Sequence, residues 1–164
     1  MTNSSVPVPV AGLTNGVGAI AAGDAFACAV ANGGAWCWGR NDVGQLGNGS
    51  STDSAAPVPV TGLASGVQAL VAGATHACAL VNGAVQCWGS NGGALGDGSM
   101  ADSAVPVQVA CIPGGAQAIA AGDGHTCALV DGGVVCWGAN DNGQFGDGSR
   151  TDSLVPVPVS AWAP

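Results

Sequence analysis

The chain has 164 residues, with ten acidic side chains, all aspartate, and only two basic ones, which gives a formal net charge of −8. Nucleic acids and anionic membranes attract proteins mainly through lysine and arginine, so this charge excludes both as leading partners. With 29 glycines and 9 prolines, the chain is too rich in these residues for a helical protein. It also lacks an apolar run of about 18 residues that would insert into a membrane.

The sequence repeats itself along its whole length. A Val-Pro or Ala-Pro pair returns at residues 6, 56, 105 and 155, and the triplet Cys-Trp-Gly begins at residues 37, 87 and 136. Self-similarity at such a period indicates a tandem-repeat architecture. We divide the chain into an N-terminal tail, three repeats and the first strand of a fourth repeat, at residues 1–5, 6–55, 56–104, 105–154 and 155–164.

Each repeat opens with two predicted strands. In Val6-Pro7-Val8-Pro9-Val10, apolar residues and prolines alternate with a period of two. Both prolines lack the N–H group on the same side, so this segment is predicted to be an edge strand. The second strand is predicted over residues 17–22, with copies over 67–72 and 116–121.

A tight hairpin follows in every repeat. The dipeptide Asn-Gly or Asp-Gly stands at residues 32, 82 and 131, and type I′ turns prefer this pair. Counting outward from Asn32-Gly33 places Cys28 opposite Cys37 in a non-hydrogen-bonded pair, where a disulfide fits. The same count predicts the disulfides Cys78–Cys87 and Cys127–Cys136.

The cysteines also bear on the compartment. Paired cysteines persist in oxidising surroundings, so we expect an extracellular, periplasmic or cell-surface protein. The first five residues contain no secretory leader, which suggests that a signal was removed or that the chain is cut from a longer protein. Cys111 has no hairpin partner. We expect it to be a buried small apolar residue, with a free or intermolecular thiol as the alternative.

About four short strands per repeat predict an all-β protein made of propeller blades, each a sheet of about four antiparallel strands. The strings Gly-x-x-His-x-Cys-Ala-Leu, Cys-Trp-Gly and Asn-x-x-Gly-Gln-Leu-Gly-x-Gly resemble the regulator of chromosome condensation repeat. That resemblance implies four-stranded blades, usually seven in one ring, and binding to protein partners. The cysteine pairs resemble the variant found in exported bacterial members. With three complete blades, we expect a partial propeller, or a ring or filament completed by further copies.

Two sets of residues invite a metal-binding interpretation. His76 and His125 stand two residues before a cysteine and share its strand face, as a zinc site would require. The first repeat has Phe26 at the position of these histidines, so packing is the preferred interpretation and no metal is predicted.

The loop aspartates suggest calcium, but their spacing fits no calcium loop and suits Asx turns. These are Asp42, Asp53, Asp97, Asp102, Asp141, Asp147 and Asp152.

The leading functional hypothesis is a non-enzymatic, exported module that binds or scaffolds proteins. No nucleophile motif is present, and no glycine-rich phosphate loop is followed by lysine. No catalytic residue and no cofactor are therefore predicted, with calcium as the weaker alternative. Trp36 replaces Gln86 and Val135 of the other repeats and is the candidate interface anchor, because large aromatic residues often dominate interfaces. The alternative for Trp36 is local packing.

The second hypothesis is a structural subunit whose function is its own assembly. Three blades leave two faces uncovered, and repeated head-to-tail contacts produce either a ring or a filament. The segment 155–164 is expected to act as a donated strand, because an isolated strand is not stable in water. Val155, Val157 and Val159 would face one way, and Trp162 would insert into a neighbouring blade.

Overall fold

The protein is all-β. The computed structural model describes residues 4–112 and 115–159, and twelve strands of six residues form three antiparallel sheets there. Among these residues, no helix is long and apolar enough to cross a membrane.

Blade 1 contains β1 (Val17–Ala22), β2 (Phe26–Ala31), β3 (Gly34–Gly39) and β4 (Ser54–Pro59). Blade 2 contains β5 (Val67–Ala72), β6 (His76–Val81), β7 (Ala84–Gly89) and β8 (Ser103–Gln108). Blade 3 contains β9 (Ala116–Ala121), β10 (His125–Val130), β11 (Gly133–Gly138) and β12 (Ser153–Pro158).

The hairpins have the predicted register. Asn32 and Gly33 adopt φ values of +51° and +79°, as a type I′ turn requires, and the turns at residues 82 and 131 repeat this conformation. Cys28 then lies opposite Cys37 in the ladder between β2 and β3. The structure contains the disulfides Cys28–Cys37, Cys78–Cys87 and Cys127–Cys136. The bridges fix the middle of each sheet and indicate an oxidising environment.

The Val-Pro segments within β4, β8 and β12 lie at sheet edges, as the prolines predict, but these strands belong to the preceding hairpin. The predicted edge strand over residues 6–10 is wrong, because that segment pairs with no sheet and forms no strand. In each sheet the fourth strand pairs only with the third, as β4 does with β3. The blades are therefore offset from the sequence repeats. The prediction that residues 155–159 lack a hairpin is wrong, because β12 pairs with β11, with Val157 opposite Cys136. Trp162 lies outside the described residues.

The cores of the protein lie between blades. One apolar cluster joins the cysteine side of blade 1 to Leu70, Ala79 and Trp88 of blade 2. A second joins the cysteine side of blade 2 to Val130 and Trp137 of blade 3. Small residues such as alanine let the sheets approach closely, and each tryptophan fills the remaining volume. Stability therefore comes from neighbouring blades packing in series, as in other repeat proteins.

Cys111 departs from its predicted environment. It is exposed, and its φ is +50°. Gly12 and Gly62 occupy the equivalent position and both adopt φ +77°, a conformation that glycine takes without a steric cost. The position is therefore set by backbone conformation and not by burial of a small apolar side chain, and Cys111 is a free thiol at the surface.

Candidate interaction surfaces

Two internal interfaces show how one blade covers the next. We call the side of each blade that carries the tryptophan of Cys-Trp-Gly its leading face, and the opposite side, which carries the cysteines, its trailing face. Trp88 of blade 2 is fully buried and its indole Nε1–H donates to the carbonyl oxygen of Gln45 in blade 1, at 3.0 Å. Trp137 of blade 3 is buried in the same way and donates to the carbonyl of Ala94, at 2.8 Å.

Backbone hydrogen bonds also cross both interfaces. Val67 N–H donates to the carbonyl of Gly33 at 3.0 Å, and Ala116 N–H donates to the carbonyl of Gly83 at 2.7 Å. On the loop side, Gly49 N–H donates to the carbonyl of Ala104 at 2.9 Å, and in the next interface Gly98 takes the place of Gly49. The same set of contacts therefore occurs twice, and it defines one mode of blade–blade docking.

The leading face of blade 1 is uncovered. Val17 and Ile20 are 40% and 78% exposed, whereas Val67 and Leu70, which occupy the same positions in blade 2, are 7% and 6% exposed. An open groove of about 450 Å³ runs along this face between Val10, Leu13, Ile20 and Trp38. The sequence supplies the same apolar residues to both blades, and only the presence of a neighbouring blade changes their exposure.

Trp36 and Trp38 stand two residues apart on β3, so both side chains belong to the leading face of blade 1. Trp36 lies opposite Ala29 on β2 and Pro59 on β4, and it is half-buried. The position that we predicted as an interface anchor therefore lies on the uncovered face. Its role as an anchor remains a prediction.

Within residues 4–112 and 115–159, the trailing face of blade 3 is uncovered as well. Leu129 and Val134 are 37% and 43% exposed, whereas the equivalent residues of blade 2, Leu80 and Val85, are 5% and 0% exposed. A shallow apolar pocket on this face is lined by Ala118, Leu129 and Val134, among others. The three blades thus end in two apolar faces of opposite kind.

Several of the loop aspartates have structural partners. Asp53, Asp102 and Asp152 each accept a hydrogen bond from the backbone N–H of a buried asparagine, at 2.7–2.8 Å. Asp97 accepts the N–H of Ser99 at 2.9 Å, which is the predicted Asx turn. Burial raises the pKa of Asp97, but hydrogen bonds from Ser99 and Asn91 outweigh this and lower it. Among the described residues, no group of three ligating side chains could hold a metal ion.

His76 lies inside the interface between blades 2 and 3. Its Nε2 is 2.9 Å from Oγ1 of Thr126, and the Thr126 hydroxyl is 3.2 Å from the carbonyl of Ala94. Because the hydroxyl donates to this carbonyl, neutral His76 donates its Nε2–H to the hydroxyl oxygen. Burial lowers the pKa of His76 to about 4, and the nearby His125 adds to this effect. Buried and hydrogen-bonded, the ring packs between the blades.

Comparison with known proteins identifies this architecture. The family model described as "Regulator of chromosome condensation (RCC1) repeat" matches residues 32–80, 82–129 and 131–162. The chain belongs to the RCC1 repeat family. A second model of the same repeat matches residues 116–144. The resemblance seen in the sequence is confirmed, and the three sheets are RCC1-type propeller blades.

Solved structures extend this comparison. The RCC1 repeat chain is similar to human WBSCR16, with 27% identity and a TM-score of 0.77 over 88% of this chain and 40% of that one. It is also similar to Prp20p of Saccharomyces cerevisiae, with 22% identity, a TM-score of 0.78 and coverage of 90% and 39%. A third similar structure is the ectodomain of the receptor kinase CR4 of Physcomitrella patens. It has 22% sequence identity and a TM-score of 0.52, over 92% of this chain and 37% of that one. No curated protein matches the chain. The chain spans about two fifths of the length of each of these three solved structures.

Sequence reasoning missed one participant in the blade 2–blade 3 interface. Thr126 stands where the other RCC1 repeats have Ala27 and Ala77, and a single threonine in a strand carries no signal of its own. Only the packing of blade 3 on blade 2 brings its hydroxyl to His76.

The buried His76 predicts a pH dependence of stability. Its folded-state pKa of about 4 lies below the ordinary value of 6.5, so the unfolded chain binds the additional proton. Stability is then complete above pH 6.5 and is lost as the pH falls towards 4. From pH 7.5 to pH 5 the loss from this group is about 2 kcal/mol.

Urea unfolding at the two pH values measures this loss, with His76→Phe as the control, because Phe26 occupies the same position in blade 1. Between the two pH values, the free energy of unfolding of the variant is expected to fall by about 2 kcal/mol less than that of the wild type. Equal losses in the two proteins would contradict the buried, neutral state of His76.

Proposed function

We propose that this chain is a non-enzymatic, exported β-propeller module that binds protein through the leading face of blade 1. The observation that carries the proposal is the exposure of Ile20, next to the half-buried Trp38, beside an open apolar groove. Exposed apolar faces of this kind mark sites of protein interaction. Among the similar solved structures, Prp20p has binding properties to Gsp1p and histones. Binding of protein is the part of this behaviour that we extend to the present chain.

The proposed compartment rests on the cysteine pairs. Three hairpin disulfides persist where thiols are not continually reduced, which favours the extracellular space, the periplasm or the cell surface. The net charge of −8 favours encounters with basic protein partners and disfavours nucleic acid. Trp36 is the proposed anchor, because it adds a large aromatic side chain to the same face as Trp38.

Site-specific photo-crosslinking in the native cell tests this function. A benzophenone amino acid at residue 20 is expected to give a discrete crosslinked species in the exported fraction. Residue 100 provides the control, because Met100 is exposed in the loop before β8, away from both end faces. Equal crosslinking from both positions, or a chain found with reduced cysteines in the cytosol, would contradict the proposal.

A second candidate function is assembly into a ring or filament. The two uncovered faces are of opposite kind, one leading and one trailing, and such surfaces support head-to-tail contacts. Within the single chain, the strand formed by residues 153–158 completes the sheet of blade 3, so it has a pairing partner without a second copy. Assembly would therefore use the blade faces themselves.

A further inference from the structure

We propose that the leading face of blade 1 docks on the trailing face of blade 3 of a second copy of this chain. The docking geometry is the one that joins blade 2 to blade 1, and blade 3 to blade 2, within a single chain. This inference rests on the assembly function above and gives it a surface, a partner and a set of contacts.

The apolar side chains of the two faces match those that already pack together. In the internal interfaces, the positions of Val17 and Ile20 are filled by Val67 and Leu70, which pack against the trailing face of blade 1. On the trailing side, the positions of Leu129 and Val134 correspond to Leu80 and Val85, which are buried against blade 3. Docking would therefore bury two exposed apolar rows in surroundings that this sequence already uses twice.

The polar groups of the two faces also correspond. Among the described residues, the indole N–H of Trp38 has no hydrogen-bond acceptor, whereas Trp88 and Trp137 each donate to a loop carbonyl. The equivalent carbonyl on blade 3 belongs to Gln144, in the copy of the loop that contains Gln45. In the docked pair, Trp38 of one copy donates to Gln144 of the other, and Val17 N–H donates to the carbonyl of Gly132.

Space for the tryptophan ring is already present on blade 3. A Cβ atom added to Gly47 or Gly96 would lie 2.8 Å or 2.7 Å from the indole ring of the next blade. At Gly146, the equivalent residue of blade 3, the nearest atom to such a Cβ is Cγ1 of Val159, at 3.6 Å. The glycine-lined recess that receives Trp88 and Trp137 is thus repeated on blade 3, and no tryptophan of the described part of the chain fills it.

The Val-Pro-Val-Pro-Val segment occurs at both ends of the chain, but only the C-terminal copy forms an edge strand. Residues 6–10 and 155–159 have the same sequence, Val-Pro-Val-Pro-Val, and correspond to the same strand position. Within one chain, the edge of β11 is occupied by β12. At the junction of two copies, β12 therefore keeps this edge, and the docked interface needs no strand from residues 6–10 of the other copy.

Two variants that each block one face test the proposal. Ile20→Lys places a charge on the leading face, and Val134→Asp places one on the trailing face, both at positions that are exposed in the single chain. Burying either charge is expected to weaken self-association by at least about tenfold. Sedimentation of each variant alone should then give the monomer mass of 15.5 kDa.

Mixing the two variants is the decisive measurement, because each retains the face that the other lacks. The mixture is expected to give a species of twice the monomer mass, whereas wild type and the Met100→Lys control form larger rings or polymers. Circular dichroism and thermal unfolding confirm that each variant is folded.

The other outcomes overturn the proposal in distinguishable ways. A wild-type chain that stays monomeric at every concentration overturns both the docking and the assembly function. A wild-type chain that associates while both variants associate equally well retains the assembly function but overturns these faces. A mixture that stays monomeric overturns the pairing of leading with trailing face.

Discussion

Replacing Trp88 by alanine is expected to lower the free energy of unfolding by about 3–5 kcal/mol, the range for a large aromatic side chain removed from a core. Trp88 is fully buried between blades 1 and 2, and its loss also leaves the carbonyl of Gln45 without its indole donor. The expected effect is large because the interface contains mostly alanine and valine, which cannot expand to fill the cavity.

Trp38→Ala is the matched control for this prediction, since Trp38 occupies the same position on the uncovered face of blade 1. It is half-buried and has no blade packed on it, so a loss of about 1 kcal/mol is expected. Urea unfolding of the dilute monomer, followed by circular dichroism with the disulfides intact, measures both values. Equal losses for Trp38 and Trp88 would mean that blade–blade packing contributes little to stability.

Gly96→Ala is the second substitution expected to be strongly destabilising. It should lower the free energy of unfolding by about 3 kcal/mol, as the sum of two effects. Gly96 has φ +66°, where any other residue is strained by about 1 kcal/mol. The added methyl group would also lie 2.7 Å from the indole of Trp137, and overpacking of this kind costs about 1–3 kcal/mol. The substitution forces the third blade away from the second.

Gly146→Ala separates the two contributions. Its φ of +69° gives the same backbone strain, but none of the tryptophans that the structure describes occupies the space beside it. A loss of about 1 kcal/mol is therefore expected in the monomer, again measured by urea unfolding. If both glycine variants lost the same stability, the close approach of Trp137 to Gly96 would be wrong.

Much of the local structure was predictable because short-range geometry determines it. The strands at residues 17–22, 67–72 and 116–121 have the predicted bounds. The Asn-Gly and Asp-Gly pairs fix a two-residue turn, and a turn of known length fixes which residues face each other. The pairing of each cysteine follows from nothing more than this count.

The position of the Val-Pro strand was only half predictable. Its prolines identify a sheet edge, because a residue without an N–H group cannot bond to a further strand. They do not identify the hairpin beside that edge, since the hairpins before and after the segment resemble each other. The loop of residues 40–53 carries the chain back to β3 and decides the matter, with Asn41 bonded to Asp53 and to the carbonyl of Thr52.

The sequence by itself determined the first three strands of each blade, the turn register, the disulfides and the repeat family, because each depends on residues close together in the chain or on a repeated motif. Tertiary structure alone decided which apolar residues are buried. Ile20 and Leu70 occupy the same position in the repeat, yet one is 78% exposed and the other 6% exposed. A blade buries its faces only against its neighbours, so exposure depends on the order of blades in space, which local patterning does not encode.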